Sequence, residues 1–147
     1  MAERDVAAEL AIRELVARYS EAVSRGDAKA FAATWAEDGE WLLLGQRAVG
    51  PEATTAQWQR LVRGFEFVVQ LCHGGIIEVE GATASGRWQI SEYGLGRDGS
   101  SFFSLGFYSD RYVCSDAGWR FQSRHFEAAY AGPMDLSGGA ATLPGDS

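Results

Sequence analysis

Gly64-Phe65-Glu66-Phe67-Val68-Val69-Gln70 opens the part of the chain that decides its fold, and Ile77-Glu78-Val79-Glu80-Gly81-Ala82-Thr83 shows how that part turns back on itself. Beyond Gly64, β-branched and aromatic residues come in runs cut by glycine-rich turns, which is the pattern of strands. The runs Phe65 to Glu80, Thr83 to Gly94, Ser101 to Cys114 and Trp119 to Ala129 predict four long strands. Long strands joined by tight turns make a strongly twisted sheet, mainly or wholly antiparallel, with one face left to cover.

The cover lies upstream. Val6, Leu10, Leu15, Val16, Tyr19, Ala22 and Val23 recur at helical spacing with charged residues between them, the signature of an amphipathic helix. Gly26 is suited to end that helix, and Asp27 to cap a short second one running through Phe31 and Trp35. Ala36-Glu37-Asp38-Gly39 reads as a turn, and Trp41-Leu42-Leu43-Leu44 as an apolar strand closed by Gly45. Gly50-Pro51-Glu52 starts a third helix through Trp58, Leu61 and Val62, because proline fits the first turn and glutamate the positive end of the dipole. The expectation is one α+β domain over residues 1–130, followed by a loose tail over 131–147 rich in Gly, Ala, Ser and Pro. Met134, Leu136 and Leu143 give that tail the means to fold back as a lid.

A chain of 147 residues suffices for one core, and 46% hydrophobic with 22% charged residues is an ordinary globular balance. Thirteen basic residues against twenty acidic ones give a net charge of −7 with no basic cluster, which argues against nucleic acid and against an anionic membrane surface. Met-Ala-Glu-Arg-Asp lacks the basic-then-apolar order of a secretion signal, and no apolar run approaches a membrane span, so the expected location is cytoplasmic. Cys72 and Cys114 lie in separate strand runs without metal-ligand spacing and are expected as reduced thiols; no metal site is expected.

Particular words in the sequence resemble the SnoaL-like branch of the NTF2-like superfamily, with scytalone dehydratase-like and hexachlorocyclohexane dehydrochlorinase-like relatives. They are Gly26-Asp27 before the second helix, Ala36-Glu37-Asp38-Gly39-Glu40-Trp41, Gly50-Pro51-Glu52-Ala53, Ile77 to Arg87, Gly106-Phe107-Tyr108-Ser109-Asp110, and Gly118-Trp119-Arg120-Phe121 with Arg124. The resemblance covers roughly residues 8 to 128. It implies an NTF2-like cone, three N-terminal helices on a strongly curved, mainly antiparallel sheet that encloses one apolar pocket for a small-molecule ligand. It also implies a homodimer or higher homo-oligomer, formed through the outer sheet face, and chemistry without a cofactor. A fold with so many activities leaves the reaction to the site residues.

In the family's dehydratases and dehydrochlorinases a His–Asp pair removes a proton while a small group leaves; histidine titrates near neutrality and the carboxylate fixes its tautomer. Registering this chain on those relatives puts Ser24 at the aspartate position and Gln70 near the histidine position, with His73 three residues on. Asp27 falls at a helix-capping position. His73 is the best candidate catalytic base if a bulge at Gly74-Gly75 turns it into the pocket; the competing reading is a histidine satisfied at a strand kink or at a dimer face. Arg124 matches a pocket arginine of the dehydrochlorinase-like relatives and would stabilise an anionic leaving group or enolate, or else pairs with Asp110 or Glu92 to tie strands together. Tyr19, Trp41, Gln70, Glu92 and Tyr108 are the candidate substrate-binding residues. Tyr19 and Trp41 are equally readable as core, Tyr108 as a structural word shared across the branch, and Glu92 either as a base of raised pKa or as an edge charge. His125 adjoins Arg124 on an extended strand and is expected on the opposite face. Two functions follow: a cofactor-free lyase or isomerase acting on a small hydrophobic molecule by proton transfer, or a binding or assembly module with the same pocket and no turnover. The β subunit of a ring-hydroxylating oxygenase shares this fold, but the short chain has no extra docking segment.

Overall fold

Helix α1 (Val6–Arg25) starts where the Asp5 carboxylate accepts from the Ala8 N–H at 3.0 Å and stops at Gly26, which takes φ 68°, a conformation open to glycine without steric cost. Asp27 accepts from the Ala30 N–H at 3.0 Å and caps α2 (Ala28–Ala32), so its carboxylate is spent on the backbone. α2 is followed by β1 (Trp35–Leu43), β2 (Gln46–Val49), α3 (Pro51–Val62), β3 (Phe65–Glu80), β4 (Thr83–Gly96), β5 (Ser101–Ser115) and β6 (Gly118–Gly132). The computed structural model describes residues 3–135. The lid expectation for Leu136 and Leu143 lies outside these residues, and Met134 is exposed.

The six strands form one curled sheet in the order β2-β1-β6-β5-β4-β3. Four neighbour pairs are antiparallel, but β1 runs parallel to β6, which corrects the expectation of a wholly antiparallel sheet. No hairpin joins those two strands, so turn geometry does not dictate their relative direction. The second helix is also shorter than the sequence suggested. It ends at Ala32, the Thr34 hydroxyl donates to the Phe31 carbonyl at 2.7 Å, and Trp35 already belongs to β1. The expected turn at Ala36 to Gly39 is instead an irregularity inside β1, where the register against β6 slips between Trp35 and Glu40. Gly39 is required there, since a Cβ would stand 2.6 Å from the Phe121 carbonyl oxygen. β2 was not anticipated, being four residues long with its two polar residues and its two apolar ones each adjacent rather than alternating; Leu44 and Gly45, at φ 53° and 76°, make the two-residue hairpin turn that leads into it.

α1 lays Ile12, Leu15, Val16, Tyr19 and Val23 against the concave face of the sheet. Beside it Phe31 stacks on Trp58 at 4.7 Å between centroids, with Trp35, Trp41 and Phe121 closing the cluster. Cys72 and Cys114 are free thiols. Among the described residues no helix is long and apolar enough to cross a membrane, and no group of three or more His, Cys, Asp or Glu residues is arranged to hold a metal ion.

Candidate active site

The concave face is packed at one end and hollow at the other. The hollow is an open cavity of about 270 Å³ between α1, α3 and the sheet. Trp41, Trp58, Val68, Phe65, Phe102 and Phe126 supply most of its apolar wall. The polar groups gather in one patch: Gln70 on β3, Glu92 on β4 and Ser104 on β5 lie side by side in register, with Tyr108 further along β5 and Tyr19 reaching in from α1. All five candidate binding residues, Tyr19, Trp41, Gln70, Glu92 and Tyr108, thus border the same space. Among the described residues no lysine, arginine or histidine does.

Glu92 is the ionisable group of most chemical interest. Burial raises its carboxyl to about 7, against the pull of the Gln70 amide and the more distant Arg124 charge. At neutral pH it therefore populates both its neutral and its charged form, which an ordinary carboxylate does not. The phenols beside it behave differently. Burial pushes Tyr108 up to about 12, with Arg124 opposing, and raises Tyr19 well above its usual value, so both keep their protons. Their oxygens lie 3.3 Å apart, and the Gln70 Nε2 donates to the Tyr108 oxygen at 3.5 Å. Trp41 Nε1, Trp58 Nε1 and Ser104 Oγ, on wall residues, are buried polar atoms with no hydrogen-bond partner among the described residues.

Arg124 is fully buried at the packed end and does not border the cavity. Its Nε and Nη2 donate to the two oxygens of Asp110 at 2.8 and 3.1 Å, so of the two readings of this arginine the structure contains the ion pair with Asp110. The guanidinium carbon lies 3.6 Å from the Tyr108 ring centre and 4.3 Å from that of Tyr19, which puts both rings against the cation. Burial works against the charge, yet Asp110 and the phenols outweigh it, and Arg124 stays above the usual guanidinium value. Tyr112 donates to Asp110 Oδ2, the oxygen that also accepts from Arg124 Nη2, at 2.7 Å and accepts from Trp88 Nε1 at 2.7 Å, so the pair is embedded in a chain of buried hydrogen bonds.

His73 does not border the cavity, which corrects the reading that the bulge turns it into the pocket. The bulge is present, as the register between β3 and β4 slips between Cys72 and Gly74. It leaves the ring exposed on the opposite face, with Nε2 2.7 Å from Ser91 Oγ. Ser91 directly precedes the inward Glu92, and alternate strand residues face opposite ways. His125 is exposed, its Nδ1 3.8 Å from Glu127.

Ser20, to which sequence reasoning gave no role, and Ser24, which it registered at the family's aspartate position, organise the patch. The Ser20 hydroxyl donates to Gln70 Oε1 at 3.0 Å, while Ser24 Oγ accepts from the Gln70 N–H at 2.9 Å and donates to the Gln70 carbonyl at 3.3 Å. Their signal was faint: two serines one helical turn apart on the buried side of α1.

The SnoaL-like domain family matches residues 4–125 of this chain. Among solved structures, a hexachlorocyclohexane dehydrochlorinase of type 2 is similar at 21% identity and TM-score 0.82, covering 96% of this chain and 97% of that one. The type 3 dehydrochlorinase from Novosphingobium barchaimii is similar at 21% identity and TM-score 0.81, covering 95% and 97%. A candidate scytalone dehydratase from Novosphingobium aromaticivorans is similar at 20% identity and TM-score 0.83, covering 97% of each chain. Likeness at about a fifth identity establishes the shared fold. No curated protein matches the sequence significantly.

Proposed function

Because this chain belongs to the SnoaL-like domain family, we propose that it is a cofactor-independent lyase or isomerase that moves a proton on a small, uncharged, largely hydrophobic molecule, with Glu92 as the proton acceptor. The observation that carries this reading is the Glu92 carboxyl, raised to about 7 inside an apolar cavity whose wall, among the described residues, has no cationic side chain. A base tuned to neutrality takes a proton from a carbon acidified by a neighbouring carbonyl; the electron pair moves onto the carbonyl oxygen, which Tyr108 is placed to meet with its O–H. Return of the proton to a different carbon gives isomerisation, and departure of a group from the β carbon gives elimination. His73 and Arg124 are not assigned to the reacting atoms: one faces outward, and the other acts from behind the phenol rings.

The test is solvent deuterium exchange followed by proton NMR on compact cyclic ketones such as 1-tetralone. Enzyme-dependent exchange at the α carbon, lost about 10²–10⁴-fold in Glu92→Gln, is the expected result. Ketones that bind without exchange would favour the second reading, a binding module. One observation supports that alternative: Ser24, which the family resemblance registers at the aspartate position, is committed to the Gln70 backbone. For the oligomer we propose a homodimer through the outer sheet face, where Phe67, Leu71 and Leu105 are exposed and Glu78 lies beside Arg87 and Arg111. A monomer mass by light scattering would remove it. A cytoplasmic location belongs to the same proposal.

A further inference from the structure

Gln70 lies on β3, the outermost strand of its side of the sheet, and strand residues there have backbone groups that no further strand satisfies. Ser24 satisfies both of them, accepting from the N–H at 2.9 Å and donating to the carbonyl at 3.3 Å. The N–H and C=O of a strand residue point to the same side, so at Gln70 they point away from β4. Gln70 and its register partner Glu92 therefore form a non-hydrogen-bonded pair, the kind in which facing side chains approach most closely. The side chain is held as firmly as the backbone. Ser20 donates to Oε1 at 3.0 Å, which turns Nε2 and its two hydrogens away from α1, and one of them is directed to the Tyr108 oxygen at 3.5 Å.

We infer that Gln70 is a positioning residue: clasped by Ser20 and Ser24 of α1, it presents its amide hydrogens to Glu92 and Tyr108 and so fixes how the carboxyl faces a ligand. The inference rests on the reading of Glu92 as the proton acceptor. A glutamine, unlike a histidine, neither gains nor loses a proton at physiological pH, so at this position it cannot compete with Glu92 for the reaction. It favours the charged carboxylate that the reaction needs against the cost of burial. The other titratable groups that act on Glu92 are few: Tyr108 lies on β5, Tyr19 on α1, and Arg124 on β6, shielded by the two phenol rings and neutralised by Asp110. Gln70 is the partner nearest in register, and the one whose orientation is set by residues outside the cavity chemistry.

The decisive measurement is the titration of the Glu92 carboxyl in the ligand-free protein, by NMR of glutamate side chains labelled with ¹³C, with Glu92→Gln identifying the resonance. Gln70→Leu is expected to move the midpoint upward by about one pH unit, the scale of a hydrogen bond to a charged group. Ser20→Ala, which removes only the hydroxyl that orients the amide, should move it the same way by about half as much. In the Gln70→Leu background Ser20→Ala should then add nothing, since its effect runs through Gln70. A midpoint unmoved by Ser20→Ala, or a shift that persists in full without Gln70, overturns the inference. Should Gln70→Leu fail to fold, the Ser20→Ala titration decides. No substrate enters this experiment, so absent deuterium exchange defeats the functional reading alone, and an unmoved titration beside normal exchange defeats the role of Gln70 alone.

Discussion

The two ends of the concave face hold buried carboxyl groups under opposite regimes. At the packed end Asp110 receives two hydrogen bonds from Arg124 and one from Tyr112, and charge is met by charge. At the hollow end Glu92 faces a neutral amide and two phenols, and the nearest cation is already engaged by Asp110. Burial raises both carboxyls, at Asp110 against the opposing pull of Arg124 and Tyr112, and at Glu92, with no cation in contact, to about 7. The two buried carboxyls therefore differ in whether a cation is in contact: Asp110 has Arg124, and Glu92 has none.

Breaking the packed end should have the largest effect on folding. Arg124→Met strands Asp110 among Tyr112, Phe121 and Trp88, and a loss of about 3–5 kcal/mol in denaturant unfolding is expected; a loss below about 1 kcal/mol would mean that Asp110 is relieved by protonation, and the contrast between the two ends would weaken. At the hollow end the change should be a gain, and one that depends on pH. Folded Glu92 holds its proton up to about pH 7, whereas the unfolded chain releases it near the ordinary value of 4.5. Between those values the folded state binds more protons, so its stability falls as pH rises through the window. Glu92→Gln should therefore stabilise the chain by about 2–3 kcal/mol at pH 8 and by little at pH 4, read from denaturant midpoints at both. Equal stabilisation at the two pH values would remove the raised carboxyl from the account. The smallest effect is expected where the two regimes meet α1. Ser24→Ala leaves the Gln70 N–H and carbonyl without their partner and should cost about 1 kcal/mol, with the Glu92 titration displaced less than by Ser20→Ala.

The caps at Asp27 and Gly26, the Pro51 start of α3 and the four long strands were legible because each depends on residues adjacent in sequence. β2 and the early start of β1 were not, because Gln46-Arg47-Ala48-Val49 has no apolar alternation and Trp35 to Gly39 becomes strand only by pairing with β6 across the chain. The same division runs through the site. Tyr19, Trp41, Gln70, Glu92 and Tyr108 alternate with outward neighbours or sit on a helical stripe, so a pocket-facing reading was available for each. His73 sits in a bulge, and a bulge erases the alternation that tells one face from the other; its glycines announced the irregularity without giving its direction. Within its ion-pair reading Arg124 left the partner open, Asp110 or Glu92, because a buried guanidinium needs an anion and the sequence does not give the strand order. The choice between them is made by register: Asp110 faces Arg124 across β5 and β6, and Glu92 is one strand further off.

The Ser24 clasp has a consequence for solubility. An open sheet has two rims, and a bare rim recruits strands from other molecules. On one side of this sheet the rim is β2, only four residues long. On the other it is β3, sixteen residues long and apolar enough to aggregate, but at Gln70 its outward backbone groups are already taken by a helix of the same chain. Ser24 thus blocks the long rim at one residue against self-templating, and its removal should show first as slow precipitation on storage rather than as lost structure.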